Sequence, residues 1–233
     1  MALFEQPDAR AEQELLSSPD AATRALSHTA VESDFVNSVY SRMASVYDVV
    51  FGPALHPGRV RAIERMDLQP GDRVLEVGVG TGINLGLYPS HCQVTAIDLS
   101  PSMLAKAHER VAKKNLSHVR LFEMDAGAIQ FPDDGFDIVF APYVISVVPD
   151  PIQVAREMRR VCRPGGRIMF LNHFRSTNPV VSTVERLITP LTVHAGFRAD
   201  FDLGAMLAQS GLNAVAVERV NIPRLWRLVT CVK

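Results

Sequence analysis

The sequence predicts an α/β fold: a mostly parallel sheet with helices on both faces, closed by an antiparallel hairpin. Three observations predict it. Between residues 70 and 172, short apolar runs of strand character alternate with helical segments, which demands parallel pairing and crossover helices. The first of these runs, Val74-Leu75-Glu76-Val77, enters a turn with glycines at Gly78, Gly80 and Gly82. The last two runs, Ala214–Val220 and Trp226–Val232, are separated only by Asn221-Ile222-Pro223-Arg224-Leu225, too short a link for a crossover, so they pair antiparallel.

Residues 1–22 are polar and acidic, with little to bury, and read as a flexible extension. From 23 to 66 apolar residues recur at intervals of three and four, a helical cover ahead of the sheet. One helical stretch ends before Gly52-Pro53 and another spans 59–66. Residues 67–233 form the main domain. Gln69-Pro70-Gly71-Asp72 turns into the first strand, and a helix through Leu87 follows the glycine turn. The second strand is 94–98. Ser100-Pro101 caps a helix running to about 114, with proline at its first position. Strands at 119–122 and 136–140 follow, the latter introduced by Pro132-Asp133-Asp134-Gly135. Asp150-Pro151 opens a helix that stops at Arg163-Pro164-Gly165-Gly166, ahead of a fifth strand at 167–171. Residues 174–201 are an insertion with an apolar stripe broken at Pro190, and a helix at 202–210 ends on Gly211.

With 233 residues, 47% of them apolar, the chain suits one α/β domain with appendages. The net charge of -1 hides an asymmetry: residues 151–233 hold twelve basic side chains, eleven of them arginine, against five acidic ones. Arginine's planar fork suits phosphate, although Arg156, Arg159, Arg160 and Arg163 read as solvated helix-face residues. Three scattered cysteines have no metal-ligand spacing and read as reduced, buried thiols. The polar start has no signal-peptide pattern, and no apolar run is long enough to span a bilayer, so any membrane contact is peripheral. The pattern calls for no nucleic acid, no metal and no obligate protein partner.

Glycines at alternate positions after a strand permit a tight turn and close approach of a ligand. Asp98 ends the second strand twenty residues after Gly78, where a carboxylate can accept both hydroxyls of a ribose. A pyrophosphate-binding turn would place glycine at 83, where Ile83 stands, and Glu76 just before the glycines would repel an anion and suit a cation.

Glu76-Val77-Gly78-Val79-Gly80-Thr81-Gly82, Asp98-Leu99-Ser100-Pro101-Ser102-Met103-Leu104, Met124-Asp125-Ala126 and Arg163-Pro164-Gly165-Gly166 together resemble the successive motifs of class I S-adenosylmethionine methyltransferases. The resemblance implies a Rossmann-like, seven-stranded sheet with a reversed last strand and S-adenosyl-L-methionine as cofactor. It further implies that the methionine part lies on Gly78, Gly80 and Gly82 with Glu76 nearby, and that Asp98 holds the ribose. Leu99 and Met103 would pack on adenine, Asp125 would accept from its amino group, and Ala126 would lie at the ring.

The segment Tyr40-Ser41-Arg42-Met43-Ala44-Ser45-Val46-Tyr47-Asp48 resembles that of quinone methyltransferases and of soluble bacterial phosphatidylethanolamine N-methyltransferases. Leu171-Asn172-His173-Phe174 and Gly196-Phe197-Arg198 resemble the second group more. The implied substrate is a phospholipid at the inner, cytoplasmic membrane face. Tyr40, Tyr143 and His173 are then the catalytic candidates, and Tyr47, Arg175 and Arg198 the substrate-binding ones. Related phosphoethanolamine enzymes carry a histidine where this chain has Ser146. A quinone-precursor methyltransferase and a non-catalytic cofactor- and lipid-binding protein are the alternatives.

Overall fold

The computed structural model describes residues 52–174, 202–221 and 225–233. The expected extension at 1–22, the cover up to Phe51, nearly all of the insertion, and the candidates Tyr40, Tyr47, Arg175 and Arg198 lie outside the described residues. Described elements are α1 (Gly52–Arg65), β1 (Arg73–Val77), β2 (Gln93–Asp98), α2 (Pro101–Lys113), β3 (Val119–Glu123), β4 (Phe136–Pro142), α3 (Pro151–Val161), β5 (Cys162–His173), α4 (Leu203–Ser210), β6 (Ala214–Val220) and β7 (Trp226–Val232).

The seven strands form one sheet in the order β3-β2-β1-β4-β5-β7-β6. The first five are parallel, while β7 runs antiparallel to both β5 and β6. Strand order reverses between β1 and β4, so the crevice beyond their carboxyl ends is where such a sheet binds ligands. Alternation along the strands splits the core in two. Leu75, Val77, Val139, Ala141, Ile168 and Phe170 pack with Val154 and Met158 of α3 and Met206 of α4. Val74, Ala96, Ile138, Phe140 and Met169 face the other way, onto Ala62 of α1 and Leu104 and Ala107 of α2.

Capping follows the sequence closely. Ser100 accepts from the Met103 N–H to start α2, Asp150 from Ile152 and Gln153 to start α3, and Asp202 from Ala205 to start α4. Gly211 ends α4 in a left-handed conformation. All three cysteines are buried and unpaired.

Three expectations need correction. The helix expected from residue 59 begins seven residues earlier, with Gly52-Pro53 in its first turn. No helix follows the glycine turn: Leu85–Leu87 form a single 3-10 turn, and α2 packs against Gly82 in its place. The stop at Arg163-Pro164-Gly165-Gly166 is an irregularity inside β5, which pairs with β4 at Cys162 and resumes at Arg167.

Three of the four arginines expected on solvated faces have definite partners, and Arg159 is exposed. Arg156 donates to the Gln209 carbonyl, joining α3 to the end of α4. Arg163 pairs with Asp137 at 2.6 Å, and the same carboxylate takes the Arg73 N–H and guanidinium. Arg160 donates to Glu157, Asp133 and the Ile129 and Phe131 carbonyls.

Candidate active site

A cavity of about 450 Å³ opens at the carboxyl ends of β1, β2 and β4, within the usual range for small-molecule sites. Seven of the nine residues expected to hold the cofactor line it: Gly78, Gly80, Asp98, Leu99, Met103, Asp125 and Ala126. The glycine turn is pinned to β2, because the Gly78 and Val79 N–H groups both donate to the Ile97 carbonyl. At Gly78, with φ +72°, a Cβ would meet the Val144 side chain at 2.5 Å, so only glycine lets the loop after β4 close on the turn. At Gly80, with φ +56°, nothing lies within 4 Å of a Cβ, which leaves the backbone open to a ligand.

Asp98 is the hinge of this arrangement. Its Oδ2 accepts from the Gly80 N–H at 2.7 Å and its Oδ1 from the Ser100 N–H at 2.9 Å. Burial raises its pKa, and the backbone donors at Ser100, Gly80 and Leu99 oppose the rise. A carboxylate accepts about four hydrogen bonds, so Asp98, which lines the cavity, keeps acceptor capacity for a ribose diol. At the far end, Leu99 is 44% exposed and Met103 7%, a flat apolar pair for a purine. The Asp125 carboxylate takes the Gly127 N–H at 2.8 Å, which fixes the loop that presents Ala126. The open backbone at Gly80, the diol-ready carboxylate and the apolar slot together fit S-adenosylmethionine.

The other two expected cofactor residues are displaced from the cavity wall. Gly82 lies against α2, where a Cβ would meet Leu85 at 2.8 Å and Ala107 at 3.2 Å. Glu76 is wholly buried on the α1 side of the sheet, and its oxygens accept from Asn84 Nδ2 at 2.8 Å and the Tyr88 hydroxyl at 2.5 Å. It meets no cation directly. Burial pushes its carboxyl from 4.5 up to about 7, against the pull of Tyr88, Asn84 and Arg59. A folded-state pKa above the unfolded value means that this group's stability contribution is full below about 4.5 and is lost as pH rises through about 7. Glu76→Gln is therefore expected to flatten the stability profile between pH 5 and pH 8. Denaturant midpoints across that range check it; an unchanged slope would show that Glu76 does not set the profile.

Tyr143 follows β4 and lines the cavity. Its φ of +58° is rare for an aromatic residue and marks strain held by its neighbours. Its hydroxyl donates to the Leu55 carbonyl at 2.9 Å and accepts from Asn221 Nδ2 at 3.0 Å, so it is engaged in tying α1 and the β6–β7 turn to the sheet. His173 ends β5 with its ring edge-on to Trp226 at 6.3 Å, and it is not among the residues lining the cavity. Ser146 is buried and its hydroxyl faces Asn172.

Sequence reasoning missed Arg59. It lines the cavity from α1, with its guanidinium 4.7 Å from the centre of the Tyr143 ring and its Nη1 donating to Asn84 Oδ1 at 2.8 Å. Helical periodicity placed Arg59 correctly on a helix, but no local signal says which helix face meets the sheet edge.

The comparisons with known proteins agree with this geometry. The methyltransferase domain family matches residues 75–170. A phosphatidylethanolamine N-methyltransferase of Cereibacter sphaeroides is 40% identical over 186 residues, covering 79% of this chain and 91% of the relative. A demethylmenaquinone methyltransferase of Alkalihalophilus pseudofirmus is 33% identical over 147 residues, 61% of this chain and 62% of that one. Among solved structures, Haemonchus contortus phosphoethanolamine N-methyltransferase 2 in complex with S-adenosyl-L-methionine superposes with a TM-score of 0.70 at 19% identity. That likeness covers 86% of this chain and 59% of that one, and it speaks for the fold alone. This chain belongs to the S-adenosylmethionine-dependent methyltransferases. Its cofactor is S-adenosylmethionine, which supplies a methyl group carried on a sulfonium.

Proposed function

We propose that the chain methylates the amine of phosphatidylethanolamine and of its mono- and dimethyl products, toward phosphatidylcholine, at the inner membrane face. One observation carries this reading: the 40% identity to a phosphatidylethanolamine N-methyltransferase extends over 91% of that relative. The similarity to the quinone enzyme is lower and spans less of both chains.

The first turn of α1 bonds the cavity residue Tyr143 through Leu55, and β5 ends at His173. Tyr40 and Tyr47 precede α1, and Arg175 and Arg198 follow β5. This reading assigns the two arginines to the headgroup phosphate, since Arg156, Arg160 and Arg163 are engaged within the fold.

No helix among the described residues is long and apolar enough to cross a membrane, so the reading places the protein on the bilayer surface. Methyl transfer from a sulfonium is an in-line displacement in which positioning and exclusion of water do most of the work. An ethanolamine nitrogen attacks only when unprotonated, and a free amine has a pKa of roughly 10. Tyr40, Tyr143 and His173 are the groups assigned to that proton, with the Tyr143 hydroxyl already holding two partners.

Labelled S-adenosylmethionine mixed with the protein and phosphatidylethanolamine liposomes is expected to place label in the lipid. Label appearing only in a demethylated quinol would move the assignment to the quinone reading. Cofactor and liposome binding without turnover would support a non-catalytic role.

A further inference from the structure

We infer that Arg59 is the anchor for the α-carboxylate of the cofactor's amino-acid tail, held in place by a buried Glu76–Asn84 rail. This rests on the cofactor assignment and not on the phospholipid reading.

The cavity has a direction. With adenine assigned to Leu99, Met103, Asp125 and Ala126 and the ribose to Asp98, which holds the Gly80 N–H, the glycine turn is left for the tail. Arg59 shares that wall: it is bonded to Asn84, two residues after Gly82, and lies over Tyr143, whose neighbour Val144 closes on Gly78. Charged residues among the described lining are Asp98, Asp125, Asp150 and Arg59, so Arg59 is the one guanidinium available to an anion there.

Five arginines around α1 and α3 form ion pairs: Arg61 and Arg65 with Glu218, Arg73 and Arg163 with Asp137, and Arg160 with Glu157. Arg59 forms none among the described residues, and its buried Nε has no hydrogen-bond partner there. An arginine kept out of ion pairs inside a cavity wall is poised for an incoming carboxylate, which its fork can take through two donors.

Its position is dictated from beneath. Both Glu76 oxygens accept, so the Asn84 NH2 must face Glu76 and the Asn84 carbonyl oxygen must face Arg59. The Tyr143 ring supports the guanidinium on another side. Glu76 therefore acts on the tail through Asn84 and Arg59, not by direct contact. This explains how a carboxylate in this motif can matter while sealed from the cavity.

Calorimetric titration of the full chain tests the assignment with two ligands. S-adenosylhomocysteine has the amino-acid tail; 5′-methylthioadenosine has the same nucleoside without it. Arg59→Gln is expected to weaken S-adenosylhomocysteine at least tenfold and change 5′-methylthioadenosine less than twofold. Arg59→Lys, which keeps the charge but not the fork, is expected to fall between. Equal losses for both ligands would mean that Arg59 only shapes the wall, and unchanged S-adenosylhomocysteine affinity would overturn the anchor. If cofactor affinity held while the KM for phosphatidylethanolamine rose, the anion would be the headgroup phosphate and the assignment would fail. Circular dichroism confirms folding, and Arg59→Lys serves as the informative variant should Arg59→Gln unfold.

Discussion

Asp98→Ala is expected to weaken S-adenosylhomocysteine binding by more than tenfold in calorimetry, the largest single loss of cofactor affinity among the variants considered. The carboxylate serves twice. It fastens the Gly80 N–H at 2.7 Å and the Ser100 N–H at 2.9 Å, and under the ribose assignment it is also the acceptor for the diol. Removing it frees the glycine turn and deletes the diol acceptor together. A tenfold loss corresponds to about 1.4 kcal/mol, less than the usual value of one charge-assisted hydrogen bond, so the threshold is conservative. Asp98→Asn keeps one acceptor and should fall between. Wild-type affinity in Asp98→Ala would remove the ribose from this site.

Arg160→Ala is expected to cost about 2 kcal/mol of stability, with a thermal midpoint several degrees lower. Arg160 holds Glu157, Asp133 and the carbonyls of Ile129 and Phe131 in one cluster. Glu157 in turn accepts the Ile129 N–H. Without the guanidinium, two carbonyls and a half-sequestered carboxylate lose their donors, and part of that loss is recovered from water. The Arg160 side chain is 30% exposed, so the ion-pair component is discounted for screening. Hydrogen bonding to Arg160 is the main cause that holds the Glu157 carboxyl below its ordinary range. A depressed folded-state pKa contributes stability above the unfolded value that is lost as pH falls through the folded one. The variant should therefore lose some of the acid sensitivity of the wild type. Melting curves from pH 4 to pH 8 measure both effects, and a variant with the wild-type midpoint would reduce the cluster to surface decoration. The loop that Arg160 braces continues from Asp125 and Ala126, so a modest loss of cofactor affinity should accompany the lower midpoint.

Most of the fold was legible because its signals are local. Alternating strands, the caps at Ser100, Asp150 and Asp202 and the short link between β6 and β7 each act over a few residues. The cofactor end of the site was legible for the same reason: strand, glycine turn and Asp98 are neighbours in sequence or in adjacent strands. Errors arose where distant packing decided the outcome. The stretch after Gly82 has apolar residues enough for a helix, yet α2 already lies against that turn and leaves room for one 3-10 turn. Glu76 was read as facing a cation because its position along β1 is next to the turn. The pleat sends it to the α1 face, where Asn84 and Tyr88 enclose it. Arg59 was invisible because its distance from the glycine turn is set by tertiary packing. Tyr143 reached the site as its place after β4 implied, but its hydroxyl partners, Leu55 and Asn221, lie far away in sequence.

Asn221 accepts the Gly58 N–H at 2.6 Å and donates to Tyr143, and Glu218 grips Arg61 and Arg65. The helix that supplies Arg59 thus rests on residues near the end of the chain, and β7 must be inserted between β5 and β6 before that support exists. β1, the glycine turn and Asp98 precede that support in sequence, and the wall opposite them depends on β7. A variant lacking β7 would keep β1, the glycine turn and Asp98 but lose the support under the helix that carries Arg59. Deleting β7 should therefore impair the cofactor site even though no described residue of β7 lines the cavity.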